Sequence, residues 1–93
     1  MLQGVRAHVI VTGLVQGVYY RVTVRQEART LGITGWVKNR PDGTVEAMLE
    51  GEKEKVVKLI DWCRQGPPAS QVSGVQVEWG DFRGEYQGFR IVS

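Results

Sequence analysis

Apolar and polar residues alternate near the start of the chain. Over residues 5–12, one face of an extended segment is apolar and the other is mostly polar. This period of two is typical of a half-buried β-strand, and Gly13 is expected to end it. The apolar face consists of Ala7, Val9 and Val11.

A helical period follows a short glycine-containing loop. Val24, Ala28 and Leu31 recur at the spacing that places side chains on one face of a helix. This spacing predicts an amphipathic helix over residues 22–31, which Gly32 is expected to stop.

Two further strands are predicted over residues 33–39 and 44–50. The segment between them is Arg40-Pro41-Asp42-Gly43. Proline presets φ and glycine tolerates a positive φ, so this segment indicates a turn and the two strands form a hairpin.

The second half of the chain repeats the order of helix and strand. Residues 52–65 are predicted as a helix, because Val56, Ile60 and Cys63 share one face and a Gly-Pro-Pro stop follows. A fourth strand is predicted from the alternation of Val75, Val77 and Trp79. A short terminal strand is suggested by Tyr86, Phe89 and Ile91.

The resulting order predicts an α+β fold of the ferredoxin-like βαββαβ type. Two helices are expected to cover one face of an antiparallel sheet, with an additional strand at the C-terminus. The 93 residues are too few for two hydrophobic cores, so residues 1–93 are expected to form a single domain.

This topology predicts where functional residues meet. In a split βαβ unit the first two strands run parallel with the third between them, so their C-terminal ends share one edge of the sheet. The loop after Gly13, the helix start at Arg21 and the strand end at Asn39 are therefore expected to converge.

Free N–H groups at a helix start favour anions, whereas a cation such as Arg21 is disfavoured there by roughly 0.3–1 kcal/mol. A bound phosphate would remove that conflict.

Taken alone, these residues have simpler explanations. Gly17 fits an ordinary turn, Arg21 fits a solvated helix residue, and Asn39 fits the end of a strand before a turn. Arg25 and Arg29 follow Arg21 at helical spacing and fit a solvated face better than a basic track for ligands.

Composition excludes several classes of function. The chain has 42% hydrophobic and 24% charged residues and a net charge of +2, which does not argue for a nucleic-acid binder. No apolar run approaches a membrane span, and the start lacks the order of a signal peptide, so a cytoplasmic protein is expected. One cysteine and one histidine cannot supply a disulfide or a zinc site. Cys63 is expected to pack in the core and His8 to face solvent.

Two linked motifs favour a functional role for these residues over the simpler explanations. The run Gly13-Leu14-Val15-Gln16-Gly17-Val18-Tyr19-Tyr20-Arg21 resembles the signature of the acylphosphatase family. A second match lies at the expected distance, in residues 31–39 and 42–46, and the resemblance covers essentially the whole chain. Tyr20 is a small departure, because phenylalanine is common at that place.

The resemblance implies the hydrolysis of small-molecule acyl phosphates, with inorganic phosphate as product and inhibitor. Arg21 would bind the phosphate and Asn39 would position water. The backbone amides around the phosphate would come from the loop residues Val15, Gln16, Gly17, Val18, Tyr19 and Tyr20. The protein would be a monomeric hydrolase that needs no cofactor and no metal.

The chemistry is consistent with this site. The leaving carboxylate has a conjugate acid with a pKa near ~4, so it departs without a general acid. The carboxamide of Asn39 is too weak a base to take the proton of water, so a phosphate oxygen of the substrate is the expected acceptor.

Two other classes of protein are alternatives to the enzyme. A non-catalytic phosphate-binding module of the same fold, serving a larger assembly, would keep Arg21 and could dispense with Asn39. RNA-recognition domains share the fold order and present aromatic residues on the third strand. Here that strand carries two glutamates and no aromatic residue, and neither nucleic acid nor a membrane is expected as a partner.

Overall fold

The computed structural model describes residues 4–93. Its elements, in chain order, are β1 (Gly4–Leu14), α1 (Tyr20–Leu31), β2 (Thr34–Asn39), β3 (Val45–Glu52), α2 (Lys53–Gln65), β4 (Gln71–Asp81) and β5 (Phe89–Ile91). The strands form one sheet in the order β4-β1-β3-β2-β5. The predicted ferredoxin-like architecture is confirmed.

Both helices cover one face of the sheet. The core between them is built from the apolar side of β1 together with Val37, Val45 and Leu49, all of which are fully buried. From α1 the core receives Val24 and Ala28, and from α2 it receives an apolar stripe. Apolar residues recur every two positions in the strands and every 3.6 positions in the helices because both sets pack into the same apolar layer. This is why the sequence pattern predicted these elements.

The other side of the sheet carries no helix, and we refer to it as the open face. Its side chains include Arg6, His8, Glu46 and Glu50, which are joined by ion pairs. Within residues 4–93, no helix is both long and apolar enough to cross a membrane.

The terminal strand corrects one expectation. The sheet is mixed rather than antiparallel, because β5 runs parallel to β2, starting with the pair Gly35 and Phe89. Strand β4 ends at Asp81, which pairs with Val5. The chain then reaches the sheet again beside the first residues of β2, so β5 extends along β2 in the same direction. Tyr86 lies before this strand and is not part of it.

Two element boundaries also differ from the prediction. Helix α1 begins at Tyr20, earlier than residue 22, because the buried Tyr20 adds to its apolar face. Strand β4 is longer than its apolar alternation, because the pairing with β1 extends from Gln71 to Asp81 across a bulge between Thr12 and Gly13.

The convergence of strand ends is confirmed. Val45 on β3 pairs with Val11 of β1 on one side and with Asn39 of β2 on the other. Adjacent strands lie about 5 Å apart, so the ends of β1 and β2 flank a single strand at one edge. Asn39 lies two residues after the buried Val37 in β2. Alternate residues of a strand share one face, so Asn39 lies on the face of the sheet that carries α1.

Candidate active site

The segment between β1 and α1, residues 15–19, is here called the β1–α1 loop. Its backbone takes left-handed conformations at Gly17, with φ of 74°, and at Tyr19, with φ of 63°. Among the described residues, Tyr19 is the one non-glycine residue with a positive φ. Left-handed residues curl a backbone so that successive N–H groups line a concave surface that suits an anion.

The start of α1 has free donors. Tyr19 occupies the N-cap position without a side-chain hydrogen bond, and the first turn has no acidic residue. The Thr23 N–H bonds to the Tyr19 carbonyl at 3.1 Å. Within residues 4–93, the backbone N–H groups of residues 17–22 donate to no protein acceptor. These are the donors that a helix start offers to an anion.

Arg21 lies in this first turn. Arg21 is partly buried, and within residues 4–93 its guanidinium forms neither an ion pair nor a hydrogen bond. A cavity of about 370 Å³ lies beside it, and is lined by Val15, Gly17, Tyr19, Tyr20, Arg21 and Val22. The positive end of the helix and an uncompensated cation therefore border the same space.

Other cavities have similar volumes but different chemistry. One of about 380 Å³ is lined by residues that include Trp36, Tyr86 and Arg90. Another of about 380 Å³ borders Arg6 and His8 on the open face. Arg6 is already paired with Glu50 and Glu85. Volume does not single out the site, but the cavity beside Arg21 is the one of these three that borders the free N–H groups at the start of α1.

Asn39 ends β2 at the same edge of the sheet. Its Oδ1 is buried and has no hydrogen-bond partner among residues 4–93. A buried acceptor without a partner costs about 1–3 kcal/mol. A buried polar atom without a partner in the protein is typical of a group that meets a ligand or a bound water.

Gln16 contributes in a way that the sequence reasoning missed. Its Nε2 donates to the Arg40 carbonyl at 2.8 Å and to the Thr44 carbonyl at 2.9 Å. The side chain therefore joins the β1–α1 loop to the turn that follows Asn39. No local spacing signals this contact, because its partners lie 24 and 28 residues away.

The remaining reactive side chains lie elsewhere. His8 is on the open face, where its Nε2 and the Glu46 Oε2 are 2.6 Å apart. Burial raises the pKa of the Cys63 thiol to about 11, so the thiolate is disfavoured. Arg29 donates to the Phe89 carbonyl at 3.1 Å and ties α1 to β5, which gives it a structural contact away from the loop. In the part of the chain that the structure describes, no cluster of three or more His, Cys, Asp or Glu side chains could hold a metal.

Comparison with known proteins identifies the family of this chain. A sequence model of the acylphosphatase family matches residues 7–91. An acylphosphatase of Pelotomaculum thermopropionicum is 60% identical over 86 residues, covering 92% of this chain and 94% of that protein. The chain therefore belongs to the acylphosphatase family, as its motifs predicted.

Solved structures show the same fold. An acylphosphatase from Coxiella burnetii superposes with a TM-score of 0.91 at 40% identity, covering 97% of this chain and 94% of that one. An acylphosphatase from Bacillus subtilis gives 0.92 at 35% identity, covering 96% of this chain and 99% of that one.

Proposed function

We propose that this protein hydrolyses acyl phosphates to a carboxylate and inorganic phosphate without a metal ion. Two observations carry the proposal: Arg21 has no ion-pair partner in the described chain, and the buried Asn39 Oδ1 has no hydrogen-bond partner there, while β2 ends beside the end of β1 that leads to α1. The first suits a phosphoryl group and the second suits a water molecule.

Arg21 and the loop amides bind the phosphoryl group. The guanidinium can donate to two phosphoryl oxygens at once, which a lysine could not do with the same geometry. The free N–H groups of residues 17–22 and the helix dipole add further positive potential. Electrostatic stabilisation and positioning carry most of the catalysis of phosphoryl transfer.

Asn39 holds the attacking water. Its Oδ1 accepts a hydrogen bond from water, and the soft terminal torsion of asparagine lets the carboxamide turn toward the ligand without moving the strand. The water oxygen attacks phosphorus as the bond between phosphorus and the acyl oxygen breaks. The bonding electron pair leaves with the carboxylate, and the proton of the water passes to a phosphate oxygen. No side chain has to act as a general acid or base.

The test is hydrolysis of a simple aryl acyl phosphate, followed by absorbance in the presence of a chelator. We expect turnover that the chelator leaves unchanged and that inorganic phosphate inhibits competitively. Loss of turnover on chelation would contradict the metal-free mechanism. Binding of inorganic phosphate without any turnover would instead favour a non-catalytic binding module.

Two variants separate the proposed roles. Asn39→Ala should lower kcat by at least about 100-fold, since misplacing a reacting group has that effect, while phosphate inhibition persists. Arg21→Ala should lose both turnover and phosphate inhibition. Arg64→Ala is the matched control, because Arg64 is exposed near the end of α2. Retained turnover in either site variant would refute the assigned roles.

A further inference from the structure

The side chain of Gln16 bridges the two halves of the proposed site. Its Nε2 lies 2.8 Å from the Arg40 carbonyl and 2.9 Å from the Thr44 carbonyl. A carboxamide nitrogen has two N–H groups, so these two contacts use its whole donor capacity. Gln16 Nε2 thus has no donor left for a phosphate.

The accepting turn, residues 40–44, is held by its own hydrogen bonds. Arg40 N–H donates to the Thr44 carbonyl at 2.9 Å and Gly43 N–H donates to the Arg40 carbonyl at 3.1 Å. The carboxylate of Asp42 accepts from the Thr44 N–H at 3.0 Å and from the Thr44 hydroxyl at 2.6 Å. Gln16 binds the same two carbonyls that close the turn, so it is anchored to a rigid element.

The chain positions give this bridge a functional meaning. Gln16 directly precedes Gly17, where the loop curls, and Arg40 directly follows Asn39. Within residues 4–93, no other side-chain hydrogen bond joins the β1–α1 loop to the turn. The bridge therefore sets the position of the loop amides relative to Asn39.

We propose that Gln16 is a positioning residue that fixes the distance between the phosphoryl group and the water held by Asn39. This inference rests on the proposed function. The side chain of Gln16 does not touch the substrate and acts through the turn. Attack in line requires the reacting atoms to approach within about 3–3.5 Å, and an error of about 1 Å can cost about 100-fold in rate.

The central variant is Gln16→Met, which keeps the length of the side chain and removes both donors. We expect kcat to fall by about 10-fold to 100-fold. The inhibition constant of inorganic phosphate should stay within about 2-fold, because Arg21 and the loop amides remain. Gln16→Glu should be at least as damaging, since it sets a carboxylate against two carbonyls. Gln26→Glu makes the same charge change at an exposed position of α1 and should behave as wild type.

A double-mutant cycle separates positioning from general support. If Gln16 acts through Asn39, then Gln16→Met should have little further effect on the residual turnover of Asn39→Ala. Wild-type kcat in Gln16→Met, a matching loss of phosphate binding, or fully additive losses in the double variant would each overturn the inference.

The wild-type protein offers a measurement that does not depend on a variant that folds. The side-chain amide protons of Gln16 should exchange slowly with solvent by NMR, because both are hydrogen-bonded. Exchange as fast as that of the exposed Gln26 would overturn the bridge. The outcomes also distinguish the two proposals: if Arg21→Ala and Asn39→Ala behave as expected and Gln16→Met does not, only the present inference fails.

Discussion

The β1–α1 loop depends on single residues in backbone conformations that most amino acids avoid. Gly17, with φ of 74°, adopts its conformation without penalty. Tyr19, with φ of 63°, stores roughly 1–3 kcal/mol of strain. The residue is 79% exposed, so side-chain burial does not offset this strain. The conformation therefore serves the direction of the backbone N–H groups rather than packing.

Two glycines with positive φ should respond differently to a methyl group. A Cβ at Gly17 would meet nothing within 4 Å, whereas a Cβ at Gly35, with φ of 138°, would lie 1.8 Å from the Met48 carbonyl oxygen. Gly17→Ala should therefore cost only the left-handed penalty of about 1–2 kcal/mol. Gly35→Ala has to displace β3 and should cost more than about 3 kcal/mol or prevent folding.

Urea unfolding of both variants measures the difference directly. Gly43→Ala serves as a second open position, because its φ is 90° and no atom lies within 4 Å of the added Cβ. It should resemble Gly17→Ala. Equal losses at Gly17 and Gly35 would show that the backbone conformation, and not the close approach to β3, sets the cost.

The two helices are joined by one buried hydrogen bond. The Tyr20 hydroxyl, at the start of α1, donates to the Cys63 carbonyl in the last turn of α2 at 2.7 Å. That carbonyl has no intrahelical donor, because the residue four positions later is Pro67, which lacks an N–H. Burial raises the pKa of the Tyr20 hydroxyl well above its usual value, and the neighbouring Cys63 thiol adds to the effect. The bond also fixes the end of α1 that carries Arg21.

Removing that hydroxyl should destabilise the fold without changing the chemistry. Tyr20→Phe leaves the Cys63 carbonyl buried and unsatisfied, so the free energy of unfolding should fall by about 1–3 kcal/mol. Tyr19→Phe is the matched control, because the Tyr19 hydroxyl makes no hydrogen bond within residues 4–93. Urea unfolding and kcat should be measured for both variants. Equal stability of the two would contradict the helix-joining role.

Elements with a clear period were predictable, and their directions and ends were less so. The apolar faces of β1, α1 and α2 follow from spacing, because burial on one face imposes it. The parallel direction of β5 could not be predicted, since a three-residue strand has no orientation in its pattern. The start of α1 was missed because Tyr19 is not a capping residue type.

The candidate site was also predicted only in part from the sequence. Arg21 and Asn39 were predicted to converge because a split βαβ topology brings two strand ends to one edge. The orphaned Oδ1 of Asn39 and the bridge from Gln16 are consequences of side-chain placement across distant segments. No period or propensity encodes such contacts.

Across the whole molecule, charge pairs organise the open face of the sheet. The fully buried carboxylate of Glu50 accepts from Arg6 at 3.3 Å and from the backbone N–H groups of Arg83 and Gly84 at 2.9 and 3.1 Å. It therefore holds the connection from β4 to β5 against the sheet. Nearby, Glu46 is paired with His8 and lies 3.7 Å from Lys38, so this face joins β1, β2 and β3 through charge.

This arrangement predicts how stability should respond to acid. The hydrogen bond from His8 holds the pKa of Glu46 below its ordinary value of 4.5, and Lys38 and Arg40 add to the effect. A carboxyl group whose pKa is lower in the folded state binds protons more tightly when unfolded. Its contribution is therefore present above pH 4.5 and is lost as the pH falls through the lower folded value.

The measurement is the free energy of unfolding between pH 7 and pH 3. Glu46→Gln should reduce stability at pH 7 and flatten the decline below pH 4.5, since a neutral amide has no proton to gain. Some decline should remain, because the pKa values of Asp42 and Glu85 are also lowered, by hydrogen bonds from Thr44 and Arg6. Glu27→Gln on α1, on the opposite side of the sheet, should keep the wild-type slope. An unchanged slope in Glu46→Gln would mean that the pairing of Glu46 with His8 does not contribute to folding stability.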